Sequence, residues 1–258
     1  PQFLYRGIHS SPKNETTLTD LELASRLSFF LWNTGPDREL LALASSNGLS
    51  KPGAMEKQVK RMLADPRSSS LVSSFAMKWL NLTTLDQVIP DPVLFPTFTE
   101  QLRRDFLRET EEFVRSVFAD DRSVVELITG DYTFVNDRLA KHYGMDGVVG
   151  SQFRRVDVIP NERRGLLGKA AILLRTSYGD RTSPVLRGNW VLEKLLSAPP
   201  APPPPDTATD LSQKAGETPK TVRARLEQHR AKAVCNMCHG VIDPTGLPLE
   251  NFDAIGAW

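Results

Sequence analysis

The chain has 258 residues, 40% of them hydrophobic and 24% charged, with a net charge of +1. That length holds one large domain or two smaller ones, with the composition of an ordinary soluble globular protein. The near-neutral balance argues against nucleic acid as a principal partner, and no apolar run approaches the ~18 residues of a membrane span. The opening Pro1-Gln2-Phe3-Leu4-Tyr5-Arg6 shows no signal peptide, and it and the stop at Trp258 read as cuts in a longer protein, so the sequence alone does not decide export.

The patterning is mostly helical. Thr19-Asp20-Leu21-Glu22 is a capping box, followed by Leu23, Leu27, Phe30 and Leu31 at helical spacing and a stop at Gly35-Pro36. Further helices are predicted over 39–46, over 52–64 with Met55, Val59, Met62 and Leu63 on one face, and over 70–82 with Phe75, Trp79 and Leu82 apolar. The longest, over 99–118, repeats Leu102, Phe106, Thr110, Phe113 and Val117 at steps of three and four. On that helix Asp105, Glu109, Glu111 and Glu112 lie among Arg103, Arg104, Arg108 and Arg115, which reads as intrahelical pairing on a solvated face rather than acid–base catalysis. A short helix is predicted over 137–143, a strand over 153–159 and a helix over 163–176. Ser183-Pro184 starts a helix through Leu196 as N-cap and first-turn proline. The prolines between Ala198 and Asp206 predict an extended polyproline II spacer. A charged helix over 222–232 follows, and Asp243-Pro244-Thr245-Gly246 predicts a break. The expected fold is mainly α, with at most one short strand pair. It divides into a helical domain over 1–160 and a module over 161–258 that contains the 198–206 linker.

The chemistry concentrates in Cys235-Asn236-Met237-Cys238-His239, a CxxCH that uses both cysteines of the chain. This is the attachment pattern of a c-type haem. Cys235 and Cys238 can each add to one vinyl group of a porphyrin edge, and His239 then lies under the ring as an iron ligand through Nε2. Its other nitrogen needs an acceptor, for which a backbone carbonyl in the 243–248 turn is expected. Three competing readings are weaker. A redox CxxC needs a preceding strand, where a charged helix is predicted. Structural zinc needs four ligands and finds no second cysteine pair. A Cys235–Cys238 disulfide closes too small a loop to stabilise much. Arg181 and Arg187 are candidates to pair with haem propionates, and Trp190, Phe252 and Trp258 to wall the macrocycle. No methionine or histidine follows His239. The sixth ligand is left open among Met55, Met62, Met77, Met145, His9, His142 and His229, a residue beyond Trp258, or five-coordinate iron.

The stretches Leu18 to Trp32 (LTDLELASRLSFFLW), Asp131 to Asn136 (DYTFVN) and Leu139 to Gly144 (LAKHYG) resemble one helical domain of the large planctomycete-type proteins that join cytochrome c-like modules to uncharacterised helical domains. Arg181 to Glu193 (RTSPVLRGNWVLE), the proline run, the CxxCH, Asp243 to Gly246 (DPTG) and Glu250 to Asp253 (ENFD) resemble the short cytochrome c module of the same proteins. The resemblance implies a multidomain surface or periplasmic protein with one covalent haem c, and it assigns no reaction. The expected function is an electron-transfer module that exchanges electrons with a redox partner protein or an adjacent domain. A haem-dependent, peroxidase-like oxidoreductase and an extracellular polymer- or partner-binding scaffold are the alternatives. Covalent haem attachment implies an exported, extracytoplasmic location.

Overall fold

The structure is a computed structural model that describes residues 18–158, 162–201, 221–231 and 233–258. Its described elements, in order, are α1 (Asp20–Trp32), α2 (Arg38–Ser45), α3 (Ala54–Ala64), α4 (Met77–Trp79), α5 (Glu100–Ala119), α6 (Glu126–Thr129), β1 (Tyr132–Val135), α7 (Asp137–His142), β2 (Arg154–Asp157), α8 (Ala170–Arg175), α9 (Pro184–Trp190), α10 (Val222–Arg230) and α11 (Ala233–Gly246). The fold is mainly α, with, among the described residues, one antiparallel strand pair that sets Tyr132 against Asp157 and Val135 against Arg154. Among the described residues no helix is long and apolar enough to cross a membrane. The chain divides into two compact units: one of residues up to Lys78 with Phe118–Asp121, the other of Trp79–Val117 and Arg122–Trp258. The expected boundary at 160/161 lies outside the described residues.

The first unit is built on α1 to α3. Thr19 caps α1 in the predicted box: its hydroxyl accepts from the Glu22 amide at 3.3 Å, and Glu22 accepts from the Thr19 amide at 2.8 Å. Asn33, in the left-handed conformation at φ 55°, ends the helix before Gly35-Pro36. The buried face is Ala24, Ser28, Leu31 and Trp32, with Leu23 and Leu27 partly buried. Phe30, predicted to face inward, is exposed and meets Phe75 edge-on at 6.0 Å. Trp32 fixes the helix end instead, since its indole donates to the Met62 carbonyl at 2.9 Å while Arg67 lies over its ring at 3.5 Å. Asp37 caps α2 through the Leu40 amide and takes a forked pair of bonds from Arg61 at 2.7 and 3.1 Å. Residues 71–76 wind as a π-helical turn into α4, where the sequence predicts one regular helix.

The second unit is organised by α5, whose predicted stripe Leu102, Phe106, Thr110, Phe113 and Val117 is buried throughout. The adjacent charges are not all solvated, however. Arg103, Asp105 and Glu109 are also buried. Asp105 accepts from Asn136 at 3.1 Å and from Arg138 at 2.5 and 3.1 Å. Glu109 accepts from Thr133 and from Tyr143, both at 2.5 Å. Lys169, fully buried, donates to Thr133 at 2.9 Å and lies 3.9 Å from Glu109; burial lowers its pKa to about 8. Only the outer carboxylates behave as predicted, with Arg108 and Arg115 both pairing with Glu112. The predicted 163–176 helix is a 3₁₀ turn over Leu166–Gly168 followed by α8, and α9 continues as a π turn through Leu195.

α9 and α11 form the most extensive helix pair. They meet backbone to backbone at two glycines. A Cβ on Gly188 would strike the Ile242 carbonyl, and one on Gly246 would strike the Pro184 carbonyl and the Gly188 amide. Thr245 reinforces the crossing, its hydroxyl reaching the Ile242 carbonyl at 2.7 Å and the Gly188 carbonyl at 3.3 Å. This close approach explains why α11 does not break at Asp243-Pro244 as predicted: the final turn, with Pro244 inside it, is held against α9, and a 3₁₀ turn over Leu247–Leu249 follows.

Gly246→Ala is expected to cost at least ~2 kcal/mol in urea unfolding, because rigid backbone must move apart. Gly35→Ala, with nothing within 4 Å of the added carbon, is expected to stay within ~0.5 kcal/mol. The Arg61 bonds hold the Asp37 carboxyl below its usual 3.8. Its contribution to stability is therefore complete above that pH and lost as pH falls below it. Asp37→Asn, which keeps a capping side chain, is expected to destabilise at pH 6 and to approach the parent's stability on acidification below 3.8.

Candidate functional site

α11 carries the whole CxxCH. Ile242, Asp243 and Gly246 form its buried side. Val234, Met237 and Val241 stand exposed on another side, at 56%, 69% and 57%. Cys235 and Cys238 sit between, one turn apart, half-buried and free. Two residues lie between them along the helix, so both thiols can reach one edge of a flat ring.

His239 lies one residue on, its side chain 16% exposed. Its Nδ1 is 2.9 Å from Oδ1 of Asp243, one helical turn later. The expected acceptor was a backbone carbonyl from a turn; it is the Asp243 carboxylate, because the segment stays helical and i, i+4 side chains face each other. Against a carboxylate Nδ1 carries the proton, which leaves the Nε2 lone pair without a hydrogen bond among the described residues. Asp243 is fully buried, and its Oδ2 makes no hydrogen bond to a described residue; the Arg230 Nε, from α10, lies 3.5 Å away as an ion pair. The His229 ring, also on α10, meets the His239 ring edge-on at 4.7 Å.

Beside Cys238 opens an apolar cleft of about 350 Å³, walled by Leu192, Pro200, Met237 and Val241 as well as the thiol-bearing residue. Ala198, Pro200 and Ala201, at the start of the predicted proline spacer, supply part of that wall; Pro202 to Asp206 lie outside the described residues. The residues fit a covalently held haem: two free thiols at the required spacing, an imidazole whose Nδ1 is already engaged, and an apolar surface for a macrocycle. Among the described residues no three His, Cys, Asp or Glu side chains converge to hold a metal ion by themselves.

The two arginines expected at the propionates occupy different settings. Arg181 is exposed, pairs with Asp180 at 2.9 Å and lies over the Tyr178 ring at 4.4 Å. Arg187 is buried and turned to the C-terminal tail. Its terminal nitrogens donate to the carbonyls of Leu249, Phe252 and Asp253 at 2.5, 3.0 and 2.8 Å and to Glu250 at 2.8 Å. Arg187 is thus engaged within the fold, while Arg181 keeps its guanidinium at the surface beside an exposed partner. Trp190 and Phe252 are core residues: the Trp190 indole donates to the Leu80 carbonyl at 3.1 Å, and Phe252 packs edge-on against the half-exposed Trp258 at 4.9 Å. Of the possible sixth ligands, Met62 and Met77 are buried. Met55 and Met145 are half-buried. His142 bonds the Ile255 carbonyl through Nε2 at 2.9 Å, and burial lowers its pKa. His9 lies outside the described residues. Sequence reasoning missed Asp243 and Arg230. The four-residue step from His239 to Asp243 is visible in the sequence, but the predicted break at Pro244 concealed it.

Arg187→Ala should strip several buried carbonyls of their donor and lower stability by about 3 kcal/mol. Arg181→Ala should change it by less than ~0.5 kcal/mol. Urea midpoints of the two variants beside the parent check both values.

Residues 18–145 match a family model described as PSD4, protein of unknown function (DUF1592), and residues 163–258 match one described as PSCyt3, protein of unknown function (DUF1588). Both names are those of planctomycete cytochrome c-type domains. No curated protein and no solved structure matches the chain. The chain therefore carries, in this order, a stretch similar to the PSD4 family and a stretch similar to the PSCyt3 family, two cytochrome c-type domain families without an assigned function.

Proposed function

We propose that the second unit is a haem c-binding electron-transfer module of a larger exported protein. The observation that carries this reading is the arrangement on α11: two free thiols one turn apart, followed by an imidazole whose Nδ1 is bonded to Asp243 and whose Nε2 is unengaged. Cys235 and Cys238 would hold the group by thioethers, and His239 would ligate the iron. When bound, such a group supplies one-electron redox chemistry at iron. The chain's own part is to orient and to exclude water. Asp243 fixes the imidazole tautomer, the Gly188–Gly246 crossing holds α11 in place, and the exposed Val234, Met237 and Val241 with the adjoining cleft offer apolar cover. Electrons would pass to an adjacent domain or a redox partner protein.

A second reading, a peroxidase-like oxidoreductase, is favoured by one feature. The acceptor on His239 Nδ1 is an anionic carboxylate, which makes the imidazole a stronger donor to iron than a neutral carbonyl would. Low-spin six-coordinate iron would support electron transfer, and high-spin iron that binds CO would support the oxidoreductase.

The test is expression with a haem c maturation system, followed by acid-acetone extraction and a pyridine haemochrome spectrum. Haem is expected to stay with the polypeptide and to be lost in Cys235→Ala combined with Cys238→Ala. A parent chain that matures without retaining haem would overturn the reading.

A further inference from the structure

Asp243 is poorly compensated where it stands. It is fully buried, where an anion is costly. It also lies in the last turn of α11, the end of a helix that disfavours negative charge. Against this it has, among the described residues, one hydrogen bond, from His239 at 2.9 Å, and one ion pair, with Arg230 at 3.5 Å; its second oxygen accepts no hydrogen bond from them. The His229 ring meets the His239 ring edge-on. Among the described residues the carboxylate's hydrogen bond is to the Nδ1 proton of the proposed iron ligand, and positive charge placed on that imidazole would relieve the burial.

We propose that Asp243 is a positioning residue that sets the reduction potential of iron held at His239 Nε2, and that Arg230 opposes it. The inference rests on the haem reading above. A hydrogen bond to an anion gives the imidazole more electron density to donate, which favours the ferric state and lowers the potential. Arg230 draws on the same carboxylate from its other oxygen and weakens that effect.

The experiment is spectroelectrochemical titration of the matured full chain, of Asp243→Asn and of Arg230→Gln, with haem content and circular dichroism measured on each sample. Asp243→Asn keeps an acceptor and removes the charge, and it is expected to shift the one-electron equilibrium at least tenfold toward the ferrous form, a rise of about 59 mV. Arg230→Gln is expected to shift it the other way. Haem retained in all three with unchanged potentials would overturn the inference and leave the haem reading standing. A parent chain without haem would overturn both. If Asp243→Asn does not hold haem, the Arg230→Gln shift decides alone: a downward shift supports the inference, and no shift or an upward one overturns it.

Discussion

The contact of Gly188 with Gly246 is the constraint on which the candidate site depends. Two helices approach this closely only where neither carries a Cβ, and here each glycine faces the other helix's backbone. The crossing fixes α11 at its C-terminal turn, and the rigid helix carries that placement back to His239, Cys238 and Cys235. It also keeps Pro244 within a helical turn, which puts Asp243 four residues from His239 on the same face. One backbone contact thus decides both the direction of the thiols and the partner of the imidazole.

The C-terminal tail is held by buried cations rather than by regular structure. Arg187 gathers the carbonyls of Leu249, Phe252 and Asp253, while Arg163 reaches the Gly256 carbonyl at 2.7 Å and covers the Tyr143 and Phe252 rings. His142 takes the Ile255 carbonyl from α7. A guanidinium offers several fixed donors and stays charged when buried, so it suits a segment with many carbonyls to satisfy and no ladder to satisfy them. The Lys169–Glu109–Thr133 network plays the same part beneath β1. These interior charges, Arg187 among them, bind chain segments together.

Much of the architecture was legible because its signals are local. The α1 capping box, the α5 apolar stripe and the Ser183-Pro184 start depend on a few neighbouring residues. What was missed depends on partners far along the chain. Phe30 gave up the interior to Ser28 and Trp32 because the indole finds the Met62 carbonyl thirty residues away. Asp105 and Glu109 looked solvated because Arg138, Thr133 and Tyr143 become neighbours only after folding. In the site, the CxxCH was plain from spacing. The Asp243 bond was hidden because proline chemistry predicted a break that tertiary packing prevents.

These observations join in one account: a helix pinned by glycines presents two thiols and a histidine readied by a buried carboxylate, beside an apolar wall. Its central claim is covalent attachment of one haem to α11. The most direct measurement is mass spectrometry of the matured chain after trypsin digestion, which cuts after Lys232 and leaves residues 233–258 as one peptide with both cysteines. The account predicts that this peptide carries the mass of a single haem and no free thiol. The same peptide at its unmodified mass, from a maturation system that loads a control cytochrome, would contradict it.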